Sequence, residues 1–282
     1  MSTDEPVLIQ VAELVARLDD PAPLVLADVR WNLTGPPGRP EYEAGHLPGA
    51  QWVDLETELS GPLTLRRTGG RHPLPDPGVF AGAMRRIGVR SGADVVVYDG
   101  GSSLAASRLW WLLLDAGFDR VRVLDGGYRS WLAAGRPVEA GPGRPVQPGD
   151  FAGSPGRMPR LEGDEVVRLL ADGDGTPLVD VRAPERFAGT TEPIDPVAGH
   201  IPTALNRPSM ANLGDDGRFR PAAEIAERFA GLAEPVLYCG SGITATHTLL
   251  ALRAAGLDGR IYPGSWSDWV SDPDRPVATG AD

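Results

Sequence analysis

Val236-Leu237-Tyr238-Cys239-Gly240-Ser241-Gly242-Ile243-Thr244-Ala245 runs from a short apolar stretch into a loop of small residues. Thr246-His247-Thr248-Leu249-Leu250-Ala251-Leu252-Arg253 continues it as a helix-like run. The order predicts a buried strand, a tight turn and a helix, with the only cysteine of the chain at the turn. The first N–H groups of a helix have no partner within it and carry a partial positive charge, so they favour an anion. A thiolate is the nucleophilic form of cysteine, and this is a place that would stabilise one. Gly240 and Gly242 let the backbone turn several N–H groups toward one point. A lone cysteine is ordinarily a small buried hydrophobe. Packing does not call for a glycine on each side of Ser241, so Cys239 is read as a nucleophile. With one cysteine, neither an intramolecular disulfide nor a zinc-binding cysteine cluster can form.

Working outward, the chain repeats itself once. Leu24-Val25-Leu26-Ala27-Asp28-Val29-Arg30 is echoed by Leu178-Val179-Asp180-Val181-Arg182. Ala44-Gly45-His46-Leu47-Pro48-Gly49-Ala50 returns as Ala198-Gly199-His200-Ile201-Pro202-Thr203-Ala204. The strand-like run Ala93-Asp94-Val95-Val96-Val97-Tyr98-Asp99 matches the run that ends at Cys239, which pairs Asp99 with Cys239. Gly126-Gly127-Tyr128-Arg129-Ser130-Trp131 matches Gly264-Ser265-Trp266-Ser267-Asp268-Trp269, and Arg136-Pro137-Val138 and Arg275-Pro276-Val277 close the copies. Short β-branched runs alternate with helical stripes such as Leu109, Leu112, Leu113 and Leu249, Leu250, Leu252. The alternation predicts an α/β fold, twice over, each copy a mostly parallel sheet flanked by helices. The Gly- and Pro-rich stretch 139–149 has linker composition, and the domains are expected at 1–145 and 146–282. Only the second copy carries a thiol.

At 282 residues the length favours two domains. The net charge of −11 argues against nucleic acid and anionic membrane surfaces as partners. All 27 basic residues are arginine, so any anion site must use guanidinium or backbone N–H groups. The N-terminus has no basic stretch followed by an apolar one, and no apolar run is long enough to span a bilayer. Together with the lack of paired cysteines, this predicts a cytoplasmic protein. No cofactor or metal is expected.

Over essentially its full length the chain resembles the two-domain rhodanese-family sulfurtransferases. The resemblance rests on the Cys239–Ala245 loop, the paired Gly-His-Leu/Ile-Pro motifs at His46 and His200, and Gly264-Ser265-Trp266. It implies two tandem rhodanese-like domains, the first without a catalytic cysteine. It implies that the Cys239 thiolate takes sulfur from a small anionic donor as a persulfide. The sulfur then passes to cyanide, a small thiol or a reduced protein thiol. The loop is close to the form typical of 3-mercaptopyruvate sulfurtransferases. Thiosulfate-specific members usually carry basic residues where Gly240 and Ser241 stand. Carried over by resemblance, Ser241, His72 and Glu56 form a proton relay, with Glu56 standing where the family usually has Asp. Arg186 matches an arginine that binds the donor anion. Gly240, Gly242, Ile243 and Thr244 complete the substrate-binding loop. A second arginine, usual in mercaptopyruvate enzymes a few residues after Arg186, is missing from Thr191-Glu192-Pro193-Ile194-Asp195-Pro196-Val197. That stretch resembles the thiosulfate branch. The loop touches the sulfur directly and is given more weight, so 3-mercaptopyruvate is the expected donor, with thiosulfate the alternative.

Some phosphatases share a rhodanese-like fold, but the position where their loop needs a phosphate-gripping arginine is Ala245 here. A catalytically dead pair of domains serving as a binding scaffold would have no use for Cys239 in such a loop. His46 and His200, common to both copies, are expected to be structural, each tying down a turn. His247 is expected to pack or to lie at the surface rather than act as a base, and the tryptophans are expected in the core, with Trp266 the one whose segment could line a cleft. Asp28 and Asp180 are expected to bond neighbouring backbone, and Asp180 could also brace the Cys239 loop.

Overall fold

The apolar runs become short strands whose β-branched side chains are buried among the helices that alternate with them. The computed structural model describes residues 6–280 apart from Pro36, Arg66 and Asp174. The chain divides into two units. The first comprises residues up to Ser60, Pro75–Met158 and Asp215–Phe219; the second comprises Gly61–Leu74, Pro159–Gly214 and Arg220 onward.

The first unit holds β1 (Leu8–Ile9), α1 (Val11–Leu18), β2 (Leu24–Asp28), α2 (Gly38–Ala44), β3 (Gln51–Trp52), α3 (Pro77–Arg86), β4 (Asp94–Tyr98), α4 (Leu104–Asp115), β5 (Val121–Leu124) and α5 (Gly127–Ala133). Its five strands lie in the order β1-β5-β4-β2-β3, all parallel. The second unit holds α6 (Gly163–Asp172), β6 (Leu178–Asp180), α7 (Pro184–Phe187), β7 (Leu205–Asn206), α8 (Ala222–Arg228), β8 (Val236–Tyr238), α9 (Ile243–Ala254), β9 (Arg260–Ile261) and α10 (Ser265–Trp269). Its four strands are ordered β7-β6-β8-β9 and again are all parallel. Parallel neighbours require crossover connections, which the intervening helices supply. Among the described residues no helix is long and apolar enough to cross a membrane.

Sequence repetition becomes structural repetition in detail. Asp28 pairs in register with Tyr98, and Asp180 with Tyr238. Each of these aspartates is buried and held by the arginine two residues on: Arg30 forks onto Asp28, and Arg182 onto Asp180 at 2.6–3.1 Å. The same guanidiniums reach the carbonyls of Gly45 and Gly199, which open the Gly-His motifs. His46 Nδ1 bonds Tyr42 O at 2.9 Å and His200 Nδ1 bonds Phe187 O at 2.8 Å, each ring stacked on the residue whose carbonyl it contacts. Both histidines are structural. The Trp131 and Trp269 indoles donate to Pro137 O and Pro276 O, tying down the segments that close each copy. The cores gather around these features, with Val96, Tyr98, Leu124 and Trp131 in the first unit and Val236, Tyr238, Tyr262 and Trp266 in the second.

Burial pushes the Asp28 carboxyl above its ordinary range, and the bonds from Arg30 oppose that push. Removing one partner of a buried ion pair leaves the other uncompensated. Arg30→Ala is therefore expected to destabilise the first unit by about 3–5 kcal/mol. Urea unfolding measures this; a loss below about 1 kcal/mol, the size of an exposed pair, would contradict the role.

Candidate active site

Cys239 stands where β8 stops, and α9 begins four residues later. The turn between them is closed by Gly242, at φ +80°; a β-carbon there would overlap the Pro263 carbonyl. Only glycine meets both demands. The turn aims the Gly242 N–H at Cys239 Sγ, 3.1 Å away. The loop is tied to the start of α10 at several points. Cys239 N–H donates to Ser265 Oγ at 3.1 Å, and the carbonyls of Cys239 and Gly240 accept from Trp266 and Ser267 N–H at 3.0 Å. Ser265 Oγ lies 3.9 Å from the sulfur, but it also bonds Tyr262 O at 2.9 Å, the shorter contact for its single hydrogen. Ser265 holds φ +55° to do this, a conformation L-residues adopt at a cost. Cys239 is 2% exposed.

The first unit shows what this junction accepts. There the residue matching Cys239 is Asp99, and its carboxylate fills the turn. Oδ1 accepts from Gly101 and Ser103 N–H at 2.9 Å, and Oδ2 from Ala105 N–H at 3.1 Å. A strand-to-helix junction of this chain thus binds an anion through backbone N–H groups.

Around the Cys239 loop of the second unit, residues 61–74 supply a further wall. Gly69 N–H donates to Asp268 Oδ1 at 2.7 Å and Arg71 N–H to Ser267 Oγ at 3.0 Å. These anchors bring His72 Nδ1 to 2.8 Å from Ser241 Oγ. Both side chains are buried. A chain of alternating charges runs up to the same loop. Arg182 joins Asp180 to Glu192 at 2.6 and 3.2 Å. Glu192 takes Arg186 Nη2 at 2.7 Å, and Arg186 Nη2 is also 3.2 Å from Asp195 Oδ2. Asp195 Oδ1 receives Arg71 Nη1. Burial would raise the Glu192 carboxyl, but the bond from Arg186 and the N–H groups of Asp195 and Ile194 outweigh it and hold it below the usual range.

Among the residues expected at the site, Cys239, Gly240, Ser241, Gly242, His72 and Arg186 come together in the second unit. Ile243 opens α9 and is buried, and Thr244 follows it half-buried. Glu56 belongs to the first unit, where its exposed carboxylate accepts the Trp31 indole N–H at 2.6 Å. Trp266 lines no cleft: it is fully buried, donates to Val197 O and lies under the Arg182 guanidinium. Asp180 bonds Arg182. Arg71, Glu192, Asp195 and Ser265 were not foreseen. Arg71 adjoins His72 in sequence, and the two acids lie in the stretch marked by its lack of arginine. These were the available signals.

A family model described as a rhodanese-like domain matches residues 10–134 and again 162–272. A Pseudomonas aeruginosa protein named "Probable 3-mercaptopyruvate sulfurtransferase" is 45% identical, over 97% of this chain and 98% of its own. A Mycobacterium tuberculosis protein provisionally named thiosulfate sulfurtransferase SseB is 41% identical over 97% of each chain. The crystal structure of the Escherichia coli 3-mercaptopyruvate sulfotransferase SseA superposes with a TM-score of 0.78 at 30% identity, covering 93% of this chain and all of that one.

Because the Glu192 carboxyl is lowered in the folded state, its contribution to stability is present above the unfolded carboxylate range. It is lost as pH falls through the lowered value. Unfolding midpoints followed from neutral into acid pH should therefore fall more steeply for the unaltered chain than for Glu192→Gln. The variant should already be less stable at neutral pH; parallel curves would count against the assignment.

Proposed function

The chain belongs to the rhodanese-like family, and from that premise we propose that it is a 3-mercaptopyruvate sulfurtransferase working through a Cys239 persulfide. The observation that carries the choice of donor is the Ser241 Oγ–His72 Nδ1 contact of 2.8 Å, two residues from the sulfur. Taking sulfur from 3-mercaptopyruvate forms an S–S bond and breaks a C–S bond. The electron pair of that bond goes to carbon as the enolate of pyruvate, which must gain a proton. The donor thiol must lose one. A hydroxyl bonded to an imidazole, beside the attacking sulfur, can take the thiol proton and return it to carbon. Thiosulfate makes no such demand: breaking its S–S bond releases sulfite directly, and no proton moves.

In this reading the Cys239 thiolate is the nucleophile, and the Gly242 N–H stabilises it and the persulfide after it. Gly240, Ile243 and Thr244 shape the loop, and Arg186 receives the donor's anionic end. Glu56 is kept as the acidic member of the relay on the resemblance alone. Cyanide, a small thiol or a reduced protein thiol then attacks the outer persulfide sulfur. That bond forms as the S–S bond breaks, and the electron pair returns to Cys239. Thiosulfate is the second reading, favoured by the arginine-free stretch 191–197.

Intact mass after incubation with donor tests the persulfide. A gain of about one sulfur atom is expected, absent in Cys239→Ser; no gain from either donor would sink the reading. The donor is tested by kcat/KM for both on one preparation. Ser241→Ala and His72→Ala should each lose on the order of 100-fold with 3-mercaptopyruvate and far less with thiosulfate. Equal losses would remove the pair from proton transfer and return the choice to thiosulfate.

A further inference from the structure

A cationic cluster stands at the β7 edge of the second unit's sheet, at the end where the nucleophile lies. Asn206, Asp180 and Tyr238 are in register across β7, β6 and β8. Arg207 and Cys239 are the next residues after Asn206 and Tyr238, two strand spacings or about 10 Å apart. Arg207 turns toward α8: its Nε donates to Arg228 O at 3.0 Å and its Nη1 to Asn206 O at 2.9 Å. Arg228 donates from Nε to Asn212 Oδ1 and from Nη2 to Pro208 O, both at 3.1 Å. Arg220 donates to Ala211 O at 3.1 Å and pairs with Glu224 at 3.1 Å. Among the described residues Glu224 is the one carboxylate that these three guanidiniums bond. Burial, then the charges of Arg207 and Arg220, push the Arg228 guanidinium below its ordinary value. Neutral oxygens thus place the side chains without cancelling their charge, and each keeps three of its five N–H donors. In a chain of net charge −11 this is a local reversal of sign. Two apolar side chains of the same segment are exposed, Leu205 at 41% and Met210 at 55%.

We propose that this face docks the protein that takes sulfur from Cys239, through an acidic segment of that protein bearing an apolar residue. The acceptor role rests on the sulfurtransferase reading; the affinity for an acidic segment rests on the cluster alone. Arginine and methionine are enriched where proteins meet. A small anion would use the guanidiniums but not Leu205 and Met210, and a nucleic acid would be repelled by the rest of the chain. Complementary charge steers the encounter and fixes its orientation. A partner held about two strand spacings from Cys239 has its thiol within reach of the persulfide. That thiolate attacks the outer sulfur: the new S–S bond forms as the old one breaks, and the electron pair of the old bond stays on Cys239.

The probe is a fluorescein-labelled peptide of alternating Glu and Leu around one Cys, compared by anisotropy with the same peptide carrying Gln for Glu. The unaltered chain is expected to prefer the acidic peptide, less so as salt rises. Arg207→Gln and Arg220→Gln should each cut that preference roughly 5- to 10-fold, and Met210→Gln should weaken both peptides. Equal binding of the two peptides by the unaltered chain, or an undiminished preference in Arg220→Gln, would overturn the proposal. Arg220 is 41% exposed, so that variant keeps the test decisive should Arg207→Gln fail to fold. If inorganic phosphate displaces the acidic peptide and Met210→Gln changes neither affinity, the face is a small-anion site and the docking proposal falls. With the Cys239 persulfide preformed, the acidic peptide's thiol should discharge it faster than the Gln peptide's. Arg220→Gln should lose that advantage and keep its rate with dithiothreitol. Equal rates for the two peptides, or an equal loss with dithiothreitol, would overturn the acceptor role. If the acidic peptide binds through the arginines while Cys239 gains no sulfur from either donor, the docking face stands and the sulfurtransferase reading falls.

Discussion

Backbone N–H groups at a strand-to-helix junction have to be satisfied by something, and each half of this chain answers that demand differently. In the first unit the answer is internal: Asp99 folds its carboxylate back onto Gly101, Ser103 and Ala105 N–H. In the second unit Cys239 Sγ takes the Gly242 N–H. A sulfur makes weaker bonds than a carboxylate oxygen but can exchange covalent partners. The remaining geometry of the second unit serves to hold that turn. Gly242 allows its φ, the bonds to Ser265, Trp266 and Ser267 fix it to α10, and the sheet beneath sets its height.

The buried Asp-Arg pair shows how one scaffold came to carry two outcomes. In both units it clamps the end of a strand to the Gly-His turn. In the second unit alone the Arg182 guanidinium also reaches Glu192, and the charges continue through Arg186 and Asp195 to Arg71. A structural pair has thus been extended into a row of braced guanidiniums ending beside the nucleophile.

Legibility varied with distance along the chain. The Cys239 turn was readable because its strand, its glycines and its helix are contiguous, and the two matching copies exposed Asp99 as its counterpart. His46 and His200 were readable as structural because both copies have them. The Trp266 segment adjoins the Cys239 loop through its backbone, while its indole turns into the core as the tryptophan reading expects. His72 was placed by resemblance alone, and Arg71 beside it passed unremarked. Ser241 and His72 lie 169 residues apart, and Arg71 and Asp195 lie 124 apart. No periodicity or turn chemistry spans such separations.

Secondary structure, the parallel α/β architecture, its duplication and the singular position of Cys239 follow from short windows of residues. Backbone propensity, apolar period and glycine conformation are local properties. The charges that surround the sulfur follow from long-range folding. All 27 cations of this chain are the same guanidinium, and nothing in the side chain itself separates Arg71 from Arg30. Burial and partners make the distinction: Arg30 is consumed by Asp28, whereas Arg71 reaches Gly240 with donors to spare.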